Sequence, residues 1–368
     1  MNAYAEIAVT TNYSFLRGAS HPSEYINAAA ALGHRAIGIA DRNTLAGVVR
    51  AYAAHQDIKG DKPKLLVGTR LVFIDGTPDI LAYPTNRKAY ANLCRLLSAG
   101  KLRAPKGECY LSLSDLLNWQ EGMLLVVMPA HPDSSIATTE VPQNFWNKTI
   151  DLKNPLPPVG RVRVGVTPAP NILSTRPNDL TSERPPPRPF PQGGGRQIEI
   201  ALKSLLQTLR ATTPNRIWLG ISMPYHGDDQ KRLKHFQHLA HITNIPLLAT
   251  NDVLYHCVER RELHDVVTCI RAHTTLNEAG RILEANAERH LKSPAEMAEL
   301  FQSAPEALQE TIRFASLINF TLDQIKYNYP NETIPEGKTA QQQLANLTWA
   351  GTIKRYGHVL PSHIKKIL

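Results

Sequence analysis

Two short apolar runs, far apart in the chain, each end abruptly in an aspartate. Residues 36–40 (AIGIA) lead to Asp41, and the stretch PLLATNDVLY at residues 246–255 contains Asp252. Helical patterns flank both runs, so each is predicted to be a strand between two helices. In α/β barrels and open α/β sheets, ligands bind beyond the carboxyl ends of parallel strands. The two aspartates are therefore predicted to share one polar site.

Strand and helix patterns alternate through most of the chain, which predicts an α/β fold built as a barrel or a parallel sheet. Short strands are predicted at residues 4–10, 65–67 and 71–73. Ser20 is predicted to cap a helix that begins near Pro22. Later helices are predicted at about residues 198–211, 228–243, 260–271, 297–301 and 304–318. After about residue 326 the chain is predicted to be loop-like, with a basic end.

The alternation breaks between residues 132 and 210. Nearly half of the chain's 27 prolines lie between residues 132 and 195, including the run PPPRP at 185–189. Because proline fixes φ and removes a backbone donor, this density predicts an extended, poorly ordered insertion rather than a domain. The three glycines at 193–195 are not a phosphate-binding loop, since no Gly-Lys-Ser/Thr follows them.

Charge favours a polyanionic partner. The 368 residues include 41 basic and 32 acidic side chains, which gives a formal net charge of +9 and a pI near 9.3. Nucleic acid is the expected partner class, although charge alone does not exclude a merely basic globular protein. The 42% hydrophobic and 20% charged residues are typical of a globular chain.

Cysteine usage and hydropathy predict a cytoplasmic protein without membrane association. The four cysteines form no Cys-x-x-Cys pair, so they are predicted to be reduced thiols. The longest clean apolar run, at residues 123–128, is far too short to span a bilayer. The N-terminus also lacks the basic-then-apolar order of a signal peptide.

A metal site at the predicted barrel mouth would need several histidine and carboxylate ligands. Asp41 and Asp252 stand at suitable positions, and Glu6 on the first strand is a third candidate. However, the sequence contains no His-x-His, and the cations Arg42 and Arg70 are predicted to lie at the same mouth. We therefore favour salt bridges, in which Arg42 or Arg70 takes the place of a metal. An occupied catalytic metal site is the alternative.

Three histidines, His235, His238 and His241, recur at three-residue intervals on a predicted helix. This spacing drifts around the helix and no fourth ligand is evident, so a solvated polar face is favoured over a metal site. No Gly-x-Ser-x-Gly elbow or Ser/His/Asp arrangement is present at the level of motifs. The residues alone thus predict a barrel with a weakened polar mouth and a basic surface, without indicating a reaction.

Several phrases, dispersed in one order along the chain, resemble one protein family. They are YSFLRGASHP at residues 13–22, IADRNTLAGVVR at 39–50, KGECYL at 106–111, LLATNDVLY at 247–255, LKSP at 291–294, IPEGKT at 334–339 and LTWAG at 347–351. Together they resemble the N-terminal region of the error-prone bacterial C-family DNA polymerases, damage-inducible relatives of the polymerase III α subunit. The resemblance covers about residues 4–131 and the chain from residue 218 onward, and it excludes the insertion.

The resemblance implies a polymerase-and-histidinol-phosphatase (PHP) domain, a distorted seven-stranded β/α barrel. Active PHP domains bind metal through a His-x-His on the first strand, an Asp-His pair, a glutamate and a late Asp-x-His. The matching positions in this chain are Ala8 and Thr10, Asp41 and Arg42, Arg70, and Asp252 and Leu254. Most ligands are replaced, so the family comparison implies a vestigial, unoccupied mouth without catalytic residues or proofreading nuclease activity.

The resemblance also implies a domain order. Residues 1–131 and 211–325 are expected to form the PHP-like barrel and the helices that follow it, with residues 132–210 as the insertion. Residues 326–368 are expected to be a linker and the truncated start of a thumb and palm region, after a C-terminal helical segment. The family's palm aspartates, which hold Mg²⁺, follow the matched region, and this chain has no Asp-x-Asp. It is thus expected to be an N-terminal fragment that binds no cofactor itself.

The favoured function is the PHP-like region of an error-prone DNA polymerase, which scaffolds the polymerase and contacts DNA without catalysing. The parent family implies translesion synthesis and DNA repair, with DNA, the sliding clamp and mutagenesis accessory proteins as partners. One alternative is a metal-dependent PHP-type phosphoesterase or exonuclease. The other is a basic DNA-binding or partner-binding module with no catalytic parent. Metal-dependent turnover would separate the first alternative, and the reading frame beyond codon 368 would separate the second.

Overall fold

Seven strands form one sheet in the computed structural model, which describes residues 3–129, 194–325 and 334–365. The strands are β1 (Ala5–Val9), β2 (Ala36–Arg42), β3 (Lys64–Leu71), β4 (Asp79–Pro84), β5 (Met123–Met128), β6 (Ile217–Ile221) and β7 (Leu247–Ala249). They lie side by side in sequence order. The near-continuous apolar character of β1, β2 and β5 fits strands that are buried on both faces.

The sheet curls until its two edges meet. The Thr10 backbone N–H donates to the Val253 carbonyl at 2.9 Å, and the Val253 N–H donates to the Ala8 carbonyl at 2.9 Å. These bonds join the end of β1 to the segment that follows β7, so the described residues form a distorted seven-stranded barrel. The predicted α/β, PHP-like barrel is thereby confirmed.

One strand runs against its neighbours: β4 is antiparallel to both β3 and β5. The connection from β3 to β4 is a short reversal around Gly76, whose φ of 82° is readily adopted only by glycine. The other neighbouring strands are parallel. Their carboxyl ends therefore collect at one end of the barrel, which we call the mouth.

Helices lie between and after the strands along the chain. Those before β6 are α1 (Pro22–Ala31), α2 (Ala46–Asp57), α3 (Arg87–Leu102), α4 (Leu113–Trp119) and α5 (Gly194–Thr212). Those after β6 are α6 (Asp229–Thr243), α7 (Arg261–Ala272), α8 (Pro294–Leu300), α9 (Pro305–Ser316), α10 (Ala340–Tyr356) and α11 (Ser362–Lys365). Each described helix is too short or too polar to cross a membrane.

One aromatic side chain fills the barrel interior. Tyr83 of β4 donates through its hydroxyl to the carbonyl of Ile7 on β1. Gly38 on β2 and Gly68 on β3 make room for its ring, since a Cβ at either position would lie 2.4 and 2.3 Å from Tyr83 atoms. Phe314 of α9 packs edge-on against the same ring, with centroids 5.4 Å apart. The interior is thus a packed core without room for a ligand, so the mouth is the place to look for a functional site.

Several local predictions need correction. Residues 65–67 and 71–73 do not form two strands, because residues 64–71 are the single strand β3. Ser20 does not cap α1; the cap residue is His21, whose backbone N–H donates to Glu24 at 2.7 Å. Ser20 instead bonds His256 through its hydroxyl at 2.8 Å. A capping interaction depends on which neighbour the hydroxyl meets in three dimensions, and sequence order alone does not give that.

The end of the predicted insertion is a core helix. α5 begins at Gly194 and places four apolar side chains in the core: Leu202, Leu205, Leu206 and Leu209. The proline-rich remainder of the predicted insertion lies outside the described residues. The chain divides into a first unit, residues 1–324, and a second, residues 325–368. The second unit contains α10 and α11, so the prediction that this end is loop-like was wrong.

Candidate functional site at the barrel mouth

The mouth brings together the residues predicted from the two Asp-ended strands. β2 and β3 are parallel and in register, so Asp41 lies beside Thr69 and Arg42 beside Arg70. Asp252 follows β7, where its φ of 48° places it in the left-handed region, which aspartate adopts more readily than most residues. Asp79 begins the antiparallel β4 and so reaches the same end of the barrel.

Asp252 is held between two arginines. The Arg70 guanidinium bonds one carboxylate oxygen of Asp252, and the Arg289 Nη2 lies 2.6 Å from the other. Arg289 also donates through Nε to the Asp252 carbonyl at 2.8 Å and pairs with Glu284 at 2.9 Å. Arg70 lies 3.4 Å from Asp79. The result is a chain of five alternating charges across the mouth, which we call the arginine clamp.

In the arginine clamp, the attraction between opposite charges shifts the pKa values more than burial does. Burial by itself would raise the pKa of Asp252, but Arg289 and Arg70 hold that pKa below its ordinary value. Burial would likewise lower the pKa of Arg289, but Asp252 and Glu284 raise it well above the usual value for arginine. The side chains of Arg70, Asp252 and Arg289 are only 14–19% exposed. Both oxygens of Asp252 are therefore committed to fixed cations.

Asp41 is committed to a different set of donors. Its carboxylate accepts hydrogen bonds from the Thr11 backbone N–H at 2.8 Å, the Thr11 hydroxyl at 2.8 Å and the Ser14 hydroxyl at 2.7 Å. The Ser14 oxygen in turn accepts from the Arg42 backbone N–H at 2.9 Å. Burial raises the pKa of Asp41, although these hydrogen bonds oppose the rise. The loop after β1 is thus anchored on the carboxylate that ends β2.

Glu6, the third candidate ligand, is buried inside the barrel near the end of β7. Its carboxylate accepts from the Ala8 N–H at 2.8 Å, the Asn251 N–H at 2.8 Å and the hydroxyls of Tyr4 and Thr250. Burial raises its pKa, again against these hydrogen bonds. Glu6 therefore links β1 to the segment that carries Asp252.

The remaining predicted positions, Ala8, Thr10 and Leu254, contribute backbone hydrogen bonds and packing contacts. Ala8 and Thr10 are buried at the end of β1 and supply the hydrogen bonds that close the barrel on Val253. Leu254 is buried with Ala19 and Tyr255 and accepts from the Ala19 backbone N–H at 2.9 Å. Ala8 and Leu254 carry aliphatic side chains without a donor atom, and Thr10 carries a single hydroxyl.

The residues at the mouth do not fit a catalytic metal. The oxygens of Asp252 face guanidinium groups, and those of Asp41 and Glu6 are occupied by N–H and hydroxyl donors. Within the part of the chain that the structure describes, no group of three or more His, Cys, Asp or Glu side chains is arranged to hold a metal ion. His235, His238 and His241 are exposed on α6, as a solvated polar face requires.

Five contributors to the mouth were not found from the sequence: Asp79, Glu284, Arg289, Thr11 and Ser14. Arg289 lies in an irregular segment between α7 and α8, where no periodicity or motif marks it. The Thr11 and Ser14 hydroxyls belong to the motif YSFLRG and its approach, but nothing in that motif says that they bind Asp41. Only the fold brings these residues to the mouth.

Comparison of the sequence with known proteins shows which proteins this chain resembles. The sequence profile of the PHP domain matches residues 6–144. An error-prone DNA polymerase of Rhodopseudomonas palustris strain BisB5 is 46% identical over 356 residues, which is 96% of this chain and 26% of that protein. Its counterpart in strain CGA009 is 48% identical over 96% of this chain and 30% of that protein. The chain thus spans less than a third of the length of these relatives.

One further relative and one solved structure were also found to be similar to this chain. The error-prone DNA polymerase of Brucella suis is 41% identical over 371 residues, which is 28% of that protein. Among solved structures, an amidohydrolase from Chromobacterium violaceum aligns with a TM-score of 0.39 and 12% identity, over 67% of this chain and 86% of that one. A likeness this remote says nothing about function.

Proposed function

We propose that this chain, which carries a PHP domain and is homologous over nearly all of its length to error-prone DNA polymerases, is the non-catalytic PHP region of such a polymerase. Its role is to support the polymerase and to contribute positive charge near DNA during synthesis past lesions. The parent protein would use Mg²⁺ in its palm and would work in the cytoplasm with DNA, the sliding clamp and mutagenesis accessory proteins.

The arginine clamp carries the non-catalytic part of this proposal. A PHP-type phosphoesterase needs carboxylates and imidazoles that are free to bind metal ions and to activate water. Here both oxygens of the Asp252 carboxylate are already taken by Arg70 and Arg289, so they are not free to bind a metal ion. The ion pairs of Asp252 with Arg70 and Arg289 are explained by a structural role, in which they hold the end of the barrel together, and this role requires no catalytic activity.

Metal binding and turnover test this assignment directly. The protein is incubated with Mn²⁺, dialysed and analysed for metal, and then assayed on labelled single-stranded DNA and on a phosphomonoester. We expect no stoichiometric Mn²⁺ and the same background rate for wild type and Asp41→Ala. Asp115→Ala, which removes a carboxylate paired with Arg103 instead, is the matched control. One Mn²⁺ per chain would contradict the absence of a metal site at the mouth, and turnover abolished by Asp41→Ala alone would show a phosphoesterase.

The polymerase part is tested by the gene. Determining the DNA sequence that follows codon 368 is expected to reveal a continuous reading frame that encodes a cluster of palm carboxylates. A frame without such carboxylates would leave a basic binding module with no catalytic parent.

A further inference from the structure

The loop that follows β1 presents an aromatic side chain to solvent beside the mouth. Phe15 is 82% exposed, and Tyr13, two residues earlier, is 37% exposed. We call residues 11–20 the aromatic loop. Single exposed apolar residues are common on protein surfaces, so exposure alone would not distinguish Phe15. What distinguishes Phe15 is the way in which the rest of the loop holds it in place.

The aromatic loop is held rigidly at several points. Asp41 accepts three hydrogen bonds from Thr11 and Ser14, as described above. Leu16, next to Phe15, has a φ of 56°, in a region that bulky side chains rarely adopt, and its carbonyl accepts from Arg271 at 3.1 Å. Backbone strain of this kind persists only where the surroundings fix it, and it concentrates at functional sites. Phe15 is therefore fixed in its exposed position.

A polar cavity opens beside the aromatic loop. Its volume is about 360 Å³, and it is lined by Asn12, Tyr13, His21, Pro22, Ser23 and Arg50. Arg50 is exposed on α2, and among the described residues it takes part in no ion pair. Two carboxylates of this region have other partners, since Asp41 is bound by the loop and Glu24 by Arg260. The cavity thus places Arg50 and several polar groups beside Tyr13, two residues before Phe15.

We propose that the aromatic loop and this cavity form a subsite for single-stranded DNA, in which a base stacks on Phe15 and a neighbouring backbone phosphate binds Arg50. An aromatic face next to an arginine is the combination by which proteins bind single strands without reading their sequence. Bases of a duplex are already stacked on each other, so Phe15 favours a single strand. The proposal rests on the proposed function, in which the chain contacts DNA, and it gives that contact a location.

The stacking contact is tested by substitution of Phe15. Binding of a fluorescein-labelled oligothymidine of about 20 nucleotides, long enough to cover one site, is measured by anisotropy. Phe15→Ala is expected to weaken binding about tenfold, whereas Phe15→Trp, which keeps an aromatic face, retains it. Leu102→Ala is the matched control, because Leu102 is an equally exposed apolar residue (87%) at the end of α3. It is expected to leave the affinity unchanged.

The phosphate contact is tested by salt dependence. Each phosphate contact to a single strand contributes a slope of about −0.7 to log K against log salt concentration. Arg50→Ala is expected to make that slope shallower by about this amount, and the exposed Arg87→Ala on α3 is expected to leave it unchanged. Circular dichroism of each variant establishes that it is folded before its binding is compared.

The possible failures are distinct. If wild type binds oligothymidine and both Phe15→Ala and Arg50→Ala bind as tightly, the subsite is wrong while DNA contact by the chain stands. If wild type does not bind single-stranded DNA, both the subsite and the DNA contact in the proposed function are wrong. Binding of duplex DNA as tightly as the single strand, with no effect of Phe15→Ala, would also overturn the subsite and leave the loop tip as a protein contact.

Discussion

Asp252→Asn is expected to lower the free energy of unfolding by about 3–5 kcal/mol, because it removes the only anion that both Arg70 and Arg289 contact in the described residues. The two guanidinium groups would then face each other across the mouth with a neutral amide between them. Burying charges in this way is costly in itself, so the clamp adds little net stability while intact. Breaking it leaves Arg70 with only the partly exposed Asp79, at 3.4 Å, and Arg289 with only Glu284. Urea denaturation at neutral pH measures the difference.

Asp79→Asn is the matched control for this prediction. It makes the same chemical change next to the same Arg70, but Asp79 is 29% exposed and its oxygen lies 3.4 Å away. We expect it to cost less than about 1 kcal/mol, as for a solvated pair. Adding Arg289→Met together with Glu284→Gln to Asp252→Asn is expected to recover part of the loss, since it removes a buried cation without leaving its other partner, Glu284, unpaired. Equal losses for the two aspartates, or no recovery, would mean that the clamp is not the source of the effect.

The sequence was sufficient to find the mouth because the relevant signal is local. A buried strand must be apolar, so a carboxylate directly after it marks where the strand leaves the core. This reasoning placed Asp41 and Asp252 correctly at the end of the barrel, and the same logic brought Arg42 and Arg70 beside them. The barrel itself followed from the alternation of patterns together with the family resemblance.

What the sequence could not supply are the partners that depend on the closed barrel. Arg289 is 37 residues from Asp252 in an irregular segment, so no local pattern pairs the two residues. α10 was missed for a different reason: Pro330, Pro335 and Gly337, residues typical of loops, precede its start. The Thr339 and Gln342 capping box just after them was a readable signal for a helix start.

His34 and His264 are expected to make the protein sensitive to mild acid. Both are buried, and burial lowers the pKa of each from 6.5 to about 4. The unfolded chain therefore takes up protons between these two values more readily than the folded chain does. The stability that each neutral imidazole contributes is present above about pH 6.5 and is lost as pH falls toward 4. Between pH 7 and pH 5 this amounts to about 2 kcal/mol for each histidine.

The variant His34→Gln isolates this effect from the other groups that titrate. Glu6 and Asp41, whose pKa values are raised, act in the opposite direction, so the total change with pH is a sum of opposing contributions. A glutamine amide can replace the imidazole that bonds the Lys292 carbonyl at 2.9 Å, but it cannot titrate. Urea denaturation at pH 7 and pH 5 should show that His34→Gln loses about 2 kcal/mol less than wild type. The exposed His238→Gln should lose as much as wild type, and a His34→Gln variant with the same loss would show that His34 is protonated in the fold.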